Sequence, residues 1–183
     1  MAFLRNLRNM TQAGIATATL QEYASGLNVE RVLPFRFIAA ARVVPQLEPM
    51  LEPLMLKCLE GQDKLSGKTV LILDTSGSMH AGLSGKSDMT RLEVAASLGI
   101  LCREICDEVS VYCTAGNDMA RVHATTIIAP RRGFALRDIV CGADIRKKIG
   151  GGGIFLTQCM DYVFAAEKSA DRIIVLTDEQ DCD

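Results

Sequence analysis

The first third of the chain has the apolar spacing of amphipathic helices, with very few runs of β-branched residues. In residues 2–10 the apolar side chains recur at helical spacing, with Arg5 and Arg8 beside them. The prolines at 45, 49 and 53 are expected to delay the last helix. The predicted helices are residues 2–10, 16–26, 34–44 and about 50–60. Short helices in succession are typical of a helical-repeat array, so residues 1–62 are predicted to be a helical-repeat remnant.

Beyond a linker, strands and helices alternate. Residues 69–74 (TVLILD) and 172–177 (RIIVLT) are near-continuous apolar runs, typical of parallel strands buried on both faces. The elements predicted between them are a helix over 89–106 capped by Asp88, strands over 109–114 and 120–124, and helices over 134–148 and 155–168. This alternation predicts an α/β domain over residues 66–183 with a doubly wound, mainly parallel sheet. We expect that sheet to be incomplete at its C-terminal side.

Composition narrows the class of protein. The hydrophobic fraction of 49% and the charged fraction of 23% are those of a packed globular chain. The net charge of −2 gives no sign of a strongly basic nucleic-acid binder. Seven cysteines without CxxC or Cys/His spacing favour reduced thiols. With no apolar run of about 18 residues, we expect no membrane span and a cytoplasmic location.

Each of the two apolar strands leads directly into an acid, Asp74 or Asp178. Residues just past the carboxyl ends of parallel strands line the ligand crevice of a doubly wound sheet. Asp74 is followed by Ser76 and Ser78, with Gly77 allowing a tight turn between them. Oxygen-only ligands suit Mg²⁺, so these residues predict a divalent-metal site. The alternative is an ordinary polar turn with two capping acids.

A family resemblance becomes visible at these residues. The stretch DTSGSM, with a later TD after an apolar strand, resembles the metal-ion-dependent adhesion site of von Willebrand factor A domains. The preceding stretches AFLRNLRNMT and LPFRFIAAAR, followed by this domain, resemble the carboxyl-terminal half of the TROVE family. That family contains the Ro autoantigens and their bacterial relatives, and the likeness covers nearly the whole chain.

The resemblance implies a ring of helical repeats closed by a von Willebrand A domain. Such a protein binds small non-coding (Y-type) RNA on its outside and takes the ends of misfolded RNA into its hole, in some cases with an exoribonuclease partner. By position, Asp74, Ser76, Ser78 and Asp178 match the metal-site residues of the family. Four helices cannot close such a ring. The incomplete sheet is expected to leave apolar faces exposed, so self-association or a completing chain is expected.

The chain departs from the family pattern at one position. The family-type site has a threonine directly after a Gly-Gly turn, whereas Gly152-Gly153 is followed here by Ile154. Ile154 has no oxygen to offer a metal, and Thr157 is the nearest substitute in sequence. We therefore expect Mg²⁺ or another divalent cation to bind weakly or not at all.

Arginines on the predicted helices are the candidate RNA contacts. Arg5 and Arg8 share a helix face, and Arg36 and Arg42 are placed to do likewise. The alternative is that all four are ordinary solvated arginines. Aromatic residues make up only 5% of the chain, so stacking platforms for single strands are sparse.

Enzyme alternatives each lack a required residue. Gly85-Lys86-Ser87 precedes a helix as in a P-loop, but His80 occupies the position that needs glycine. An aspartyl-phosphate phosphatase would need a second acid where Ser76 lies. A serine hydrolase would need a histidine base, but His80 lies in a predicted loop and His123 in a predicted strand, and both are interpreted as solvated or structural. We expect a non-catalytic RNA-binding protein; the alternative is a metal-dependent protein-interaction module of the von Willebrand A type.

Overall fold

The computed structural model describes residues 2–183, which fall into two compact units. The first unit extends to Asp63 and the second covers Lys64–Asp183.

The first unit is all-helical within the described residues 2–63. Its helices are α1 (Ala2–Gln12), α2 (Thr17–Ser25), α3 (Pro34–Val43) and α4 (Glu48–Lys57), with a 3-10 turn at Pro45–Leu47. α3 packs against α1 and α4, and α2 packs against α4. The apolar stripe predicted for α1 is buried, as Phe3, Leu4 and Leu7 show. The expected order of helices is therefore present.

The prolines do not delay the fourth helix as the sequence predicted. α4 begins at Glu48 and already ends at Lys57, earlier than the predicted residues 50–60 at both ends. Pro49 is tolerated because N–H groups in the first turn of a helix have no partner within the helix. Pro53 lies inside the helix, where it removes only one backbone hydrogen bond.

The second unit is built around a mainly parallel sheet. Its strands are β1 (Leu65–Asp74), β2 (Gly82–Ser84), β3 (Ser87–Thr90), β4 (Cys106–Asn117), β5 (Val122–Ile127) and β6 (Arg172–Leu176). In the described residues the main sheet has the order β5-β4-β1-β6. β1 is parallel to both β4 and β6, and only β5 is antiparallel. The predicted α/β class and mainly parallel sheet are confirmed.

The helices of this unit are α5 (Arg91–Ile105), α6 (Gly133–Val140), α7 (Ala143–Ile149) and α8 (Leu156–Ala166). The single helix predicted over 134–148 is two helices, interrupted at Gly142. A side chain at Gly142 would come within 2.5 Å of the Asp138 carbonyl, so the interruption needs glycine. Apolar periodicity continues through both helices and could not reveal this break.

The predicted cap of α5 was wrong by two residues. Asp88 lies in β3, and Thr90 is the N-cap instead. The Thr90 hydroxyl accepts the Glu93 N–H at 3.1 Å, and the Glu93 carboxylate accepts the Thr90 N–H at 2.7 Å. This reciprocal capping box satisfies two N–H groups that the helix leaves open. It fixes the start of α5 directly after the β2–β3 hairpin.

The core of the sheet explains the two apolar runs. Val70, Leu71, Ile72 and Leu73 of β1 are fully buried, because neighbouring strands cover both edges and helices cover both faces. On one face Val70 and Ile72 pack with Tyr112 and the α8 residues Cys159 and Val163. Within residues 2–183, no helix is long and apolar enough to span a membrane.

An ion pair beside this core makes stability depend on pH. Glu167 accepts hydrogen bonds from the Tyr112 hydroxyl and the Lys68 ammonium, each at 2.7 Å. The bond from Lys68 lowers the pKa of Glu167 below its ordinary value, and it outweighs the opposite effect of burial. A lowered carboxyl pKa stabilises the fold above the unfolded pKa, and this contribution is lost as pH falls through the folded pKa.

We therefore expect Glu167→Gln to lower the urea midpoint at pH 6, with a difference from wild type that shrinks as the pH falls below the ordinary carboxyl range. Asp161→Asn, at an exposed acid on α8, serves as the control and should leave the wild-type pH profile unchanged. Urea unfolding followed by circular dichroism at several pH values measures both. A midpoint difference that stays constant with pH would contradict the role given to the charge.

Candidate functional site

The carboxyl ends of β1 and β6 bring the predicted site residues together. Leu73 pairs with Leu176, so Asp74 and Thr177 emerge side by side at the same edge of the sheet. Asp74 is fully buried, and one carboxylate oxygen accepts the Ser76 N–H at 2.8 Å. Its other oxygen accepts the Thr177 hydroxyl at 2.8 Å. Both oxygens of the buried acid are therefore satisfied.

The two serines connect this acid to the second one. The hydroxyl oxygens of Ser76 and Ser78 lie 3.2 Å apart, and Ser78 Oγ donates to one oxygen of Asp178 at 3.1 Å. Asp74, Ser76, Ser78 and Asp178 thus form one hydrogen-bonded group, here called the acid–hydroxyl cluster. The sequence reasoning selected all four of these residues. It missed Thr177, although its place directly after β6 put it beside Asp74.

A glycine-rich loop lies against this cluster. The Gly77 N–H donates to the Gly152 carbonyl at 3.1 Å, and a side chain at Gly77 would come within 2.8 Å of the Gly151 carbonyl. On its other side, the Gly152 N–H donates to the Gly116 carbonyl at 3.1 Å. Backbone contacts therefore hold the two loops together, and this close approach requires glycine.

The next residues of that loop supply no hydroxyl to the cluster. Ile154 is buried, and its carbonyl accepts the Cys182 N–H at 2.8 Å. Thr157 lies in the first turn of α8, where it is exposed and its N–H donates to the Asp183 carboxylate. Among residues 2–183, no hydrogen bond joins Thr157 to Asp74 or Ser76, since the Thr157 N–H is directed to Asp183 instead.

A cation from the protein itself contacts the cluster. The guanidinium of Arg91, the first residue of α5, forms an ion pair and hydrogen bond with the second oxygen of Asp178. The side chain of Arg91 is 34% exposed and that of Asp178 only 9%. The Arg91 N–H also donates to the Ala81 carbonyl at 3.0 Å. Sequence reasoning missed Arg91, since no motif or spacing marks it.

Mg²⁺ is the ion that the family resemblance implies for the acid–hydroxyl cluster. Its oxygens are of the right chemical type, but every carboxylate oxygen already accepts a hydrogen bond from the protein. A guanidinium holds one oxygen of Asp178, and the loop position where a hydroxyl is expected is Ile154. Within residues 2–183, no three Asp, Glu, His or Cys side chains are grouped to hold a metal. The residues present do not fit a divalent ion in this arrangement.

The candidate RNA-binding arginines lie on the helical unit. Arg5 and Arg8 are exposed on α1, and neither has an ion-pair partner among residues 2–183. Arg36 is half-buried on α3, with its guanidinium 5.5 Å from the centre of the Phe35 ring. Arg42 is exposed in the last turn of α3. The pair of arginines on α1 is therefore more accessible than the pair on α3.

The local geometry removes the P-loop alternative. Gly85 and Lys86 form the turn of the β2–β3 hairpin, in which Ser84 pairs with Ser87. A P-loop instead connects a strand directly to the N-terminus of a helix, so that backbone N–H groups surround the phosphates.

His123, considered as a base for a serine hydrolase, contacts Thr125 through Nδ1 at 2.9 Å.

The fold and the loop after β1 define a von Willebrand A-type α/β domain preceded by a helical unit. Scans of protein-family models and of curated proteins find no match. A search of solved structures finds the crystal structure of the Ro (RSR) protein of Deinococcus radiodurans, with a TM-score of 0.62 and 18% sequence identity. The match covers 98% of this chain and confirms the fold that the family resemblance implied.

The chain spans only part of that protein. The matched region covers 39% of the Deinococcus Ro protein. At 18% identity the likeness establishes the fold alone.

Proposed function

We propose that this chain is a non-catalytic RNA-binding protein of the Ro type. The observation that carries the proposal is the structural likeness to a Ro protein over 98% of the chain, through both the helices and the α/β unit. A von Willebrand A-type domain alone occurs with many functions, so the preceding helices make the likeness specific. The ligands proposed are small non-coding RNA of the Y type and misfolded RNA, with an exoribonuclease as a further partner.

The exposed arginines of α1 supply a physical basis for contact with RNA. Arg5 and Arg8 lie three residues apart on a helix and have no ion-pair partner among residues 2–183. Guanidinium groups in this position can bind phosphates, which position RNA without reading its sequence. Arg36 and Arg42 are proposed as secondary contacts, Arg36 being half-buried.

A gel-shift titration with a structured small RNA that carries a single-stranded end tests this proposal. We expect binding that weakens steeply with salt, because each phosphate contact releases counterions. Arg5→Gln/Arg8→Gln should weaken binding at low salt and reduce the slope of log K against log salt by up to about 2. Arg131→Gln/Lys147→Gln removes the same charge from exposed positions of the α/β unit and is the matched control.

The outcomes separate the two candidate functions. A reduced slope in the α1 variant alone supports RNA contact through α1. An equal loss in both variants would indicate nonspecific attraction to positive charge and would contradict the assignment of Arg5 and Arg8. No retention of RNA at low salt would reject RNA binding and favour a protein-interaction module.

A further inference from the structure

We infer that Arg91 is the resident cation of the acid–hydroxyl cluster, taking the role that a divalent ion has in the related site pattern. The cluster would then be a metal-independent structural element. This inference concerns the α/β unit alone and does not depend on RNA binding.

The two carboxylates of the acid–hydroxyl cluster carry negative charge that has to be compensated. Asp74 is fully buried and the side chain of Asp178 is 9% exposed, and both lie at the ends of adjacent strands. Buried carboxylates are strongly unfavourable unless they are paired or hydrogen-bonded. The hydroxyl and N–H donors of the loop are neutral, so the Arg91 guanidinium is the positive charge that contacts the cluster.

The backbone of Arg91 is held firmly in place. Arg91 begins α5 directly after the Thr90 capping box, and its own N–H donates to the Ala81 carbonyl at 3.0 Å. Its backbone is therefore fixed on both sides before the side chain reaches Asp178. A guanidinium stays charged at all ordinary pH values and is weakly hydrated, so it suits a permanent ion pair at a half-buried position.

Mg²⁺ would compete with the protein's own donors for the carboxylate oxygens of the cluster. Ser78 and Arg91 use the two oxygens of Asp178, while Ser76 and Thr177 use those of Asp74. Mg²⁺ would have to displace the guanidinium and also give up part of its own strongly held water shell. Ile154 offers no hydroxyl in compensation. Arg91 and Ile154 together explain why the cluster has oxygens of the type found in a metal site but does not offer them to a metal ion.

The experiment restores the metal site by changing both residues. We compare Mg²⁺ binding by calorimetry, and Mn²⁺ binding by electron paramagnetic resonance, for the full chain and for Ile154→Thr, Arg91→Gln/Ile154→Thr and Arg131→Gln/Ile154→Thr. We expect wild type and Ile154→Thr to bind Mg²⁺ no tighter than millimolar. Arg91→Gln/Ile154→Thr should bind at least about tenfold tighter, because the competing charge is removed. Arg131→Gln removes an exposed charge elsewhere and should bring no gain.

Several results would overturn the inference. Micromolar Mg²⁺ binding by wild type, lost in Ser76→Ala, would show that Arg91 does not exclude the ion. A double variant without gain, or a gain of equal size in the Arg131 control, would also reject it. If the Arg91→Gln variant does not fold, Arg91→Met/Ile154→Thr provides the test, because methionine keeps an unbranched side chain and removes its charge. A tenfold gain in Mg²⁺ affinity then supports the inference, and millimolar binding rejects it.

Discussion

Asp74→Ala is expected to lower the free energy of unfolding of the α/β unit by about 2–4 kcal/mol. The fully buried Asp74 carboxylate accepts the Ser76 N–H and the Thr177 hydroxyl, each at 2.8 Å. Alanine would leave both donors without an acceptor in a place from which water is excluded. The change would therefore remove two hydrogen bonds, one of which links the ends of β1 and β6.

Urea unfolding at neutral pH, without divalent cations and with EDTA present, measures this effect. Asp161→Ala is the matched control, since Asp161 is exposed on α8 and its loss should change stability by less than about 0.5 kcal/mol. EDTA separates the structural role of Asp74 from any role in metal binding. A variant as stable as the control under these conditions would contradict a structural role for the acid.

The fold could be predicted from the sequence because its strongest signals are local. The apolar run of β1 is long, and the glycines, hydroxyls and acid that follow it mark the end of a strand. The boundaries were harder, because hydrogen bonds set them rather than hydrophobicity. The cap at Thr90 depends on its pairing with Glu93, and the break at Gly142 depends on the close Asp138 carbonyl.

The candidate site was only partly predictable, for a physical reason. Asp74, Ser76 and Ser78 lie within five consecutive residues, and Asp178 follows a strand whose direction the sheet type fixes. Arg91 contacts Asp178 from a helix that begins after a hairpin. The local sequence around either residue does not predict this contact. Long-range pairs of this kind need the coordinates of both elements.

The different parts of the chain therefore support different conclusions. The acid–hydroxyl cluster explains how the ends of β1 and β6 are joined. Its carboxylate oxygens already accept hydrogen bonds from within the protein. RNA contact is instead proposed for the exposed arginines of the helical unit, which have the accessible charge that the cluster lacks. Loss of the cluster should consequently reduce stability, whereas loss of Arg5 and Arg8 should reduce binding without reducing stability.

Gly116→Ala is expected to destabilise the α/β unit by about 3 kcal/mol. A methyl group at this buried position of β4 would lie 2.5 Å from the ring of Phe155 and 2.7 Å from the carbonyl oxygen of Val122. Phe155 is fully buried, and Val122 belongs to the paired strand β5, so neither can move away without disturbing its own contacts. The Gly116 carbonyl also holds the Gly152 N–H, and its displacement would loosen the loop beside the cluster.

Thermal and urea unfolding of Gly116→Ala, compared with Gly85→Ala, measures this packing. Gly85 lies in the β2–β3 turn with no atom within 4 Å of the added methyl group, so that variant should lie within about 0.5 kcal/mol of wild type. Gly116→Ala should cost less stability when it is introduced into Phe155→Leu than when it is introduced into wild type, because the smaller side chain relieves one of the two clashes. Equal stability of the Gly116 and Gly85 variants would show that β4 and the start of α8 are not packed as closely as these distances require.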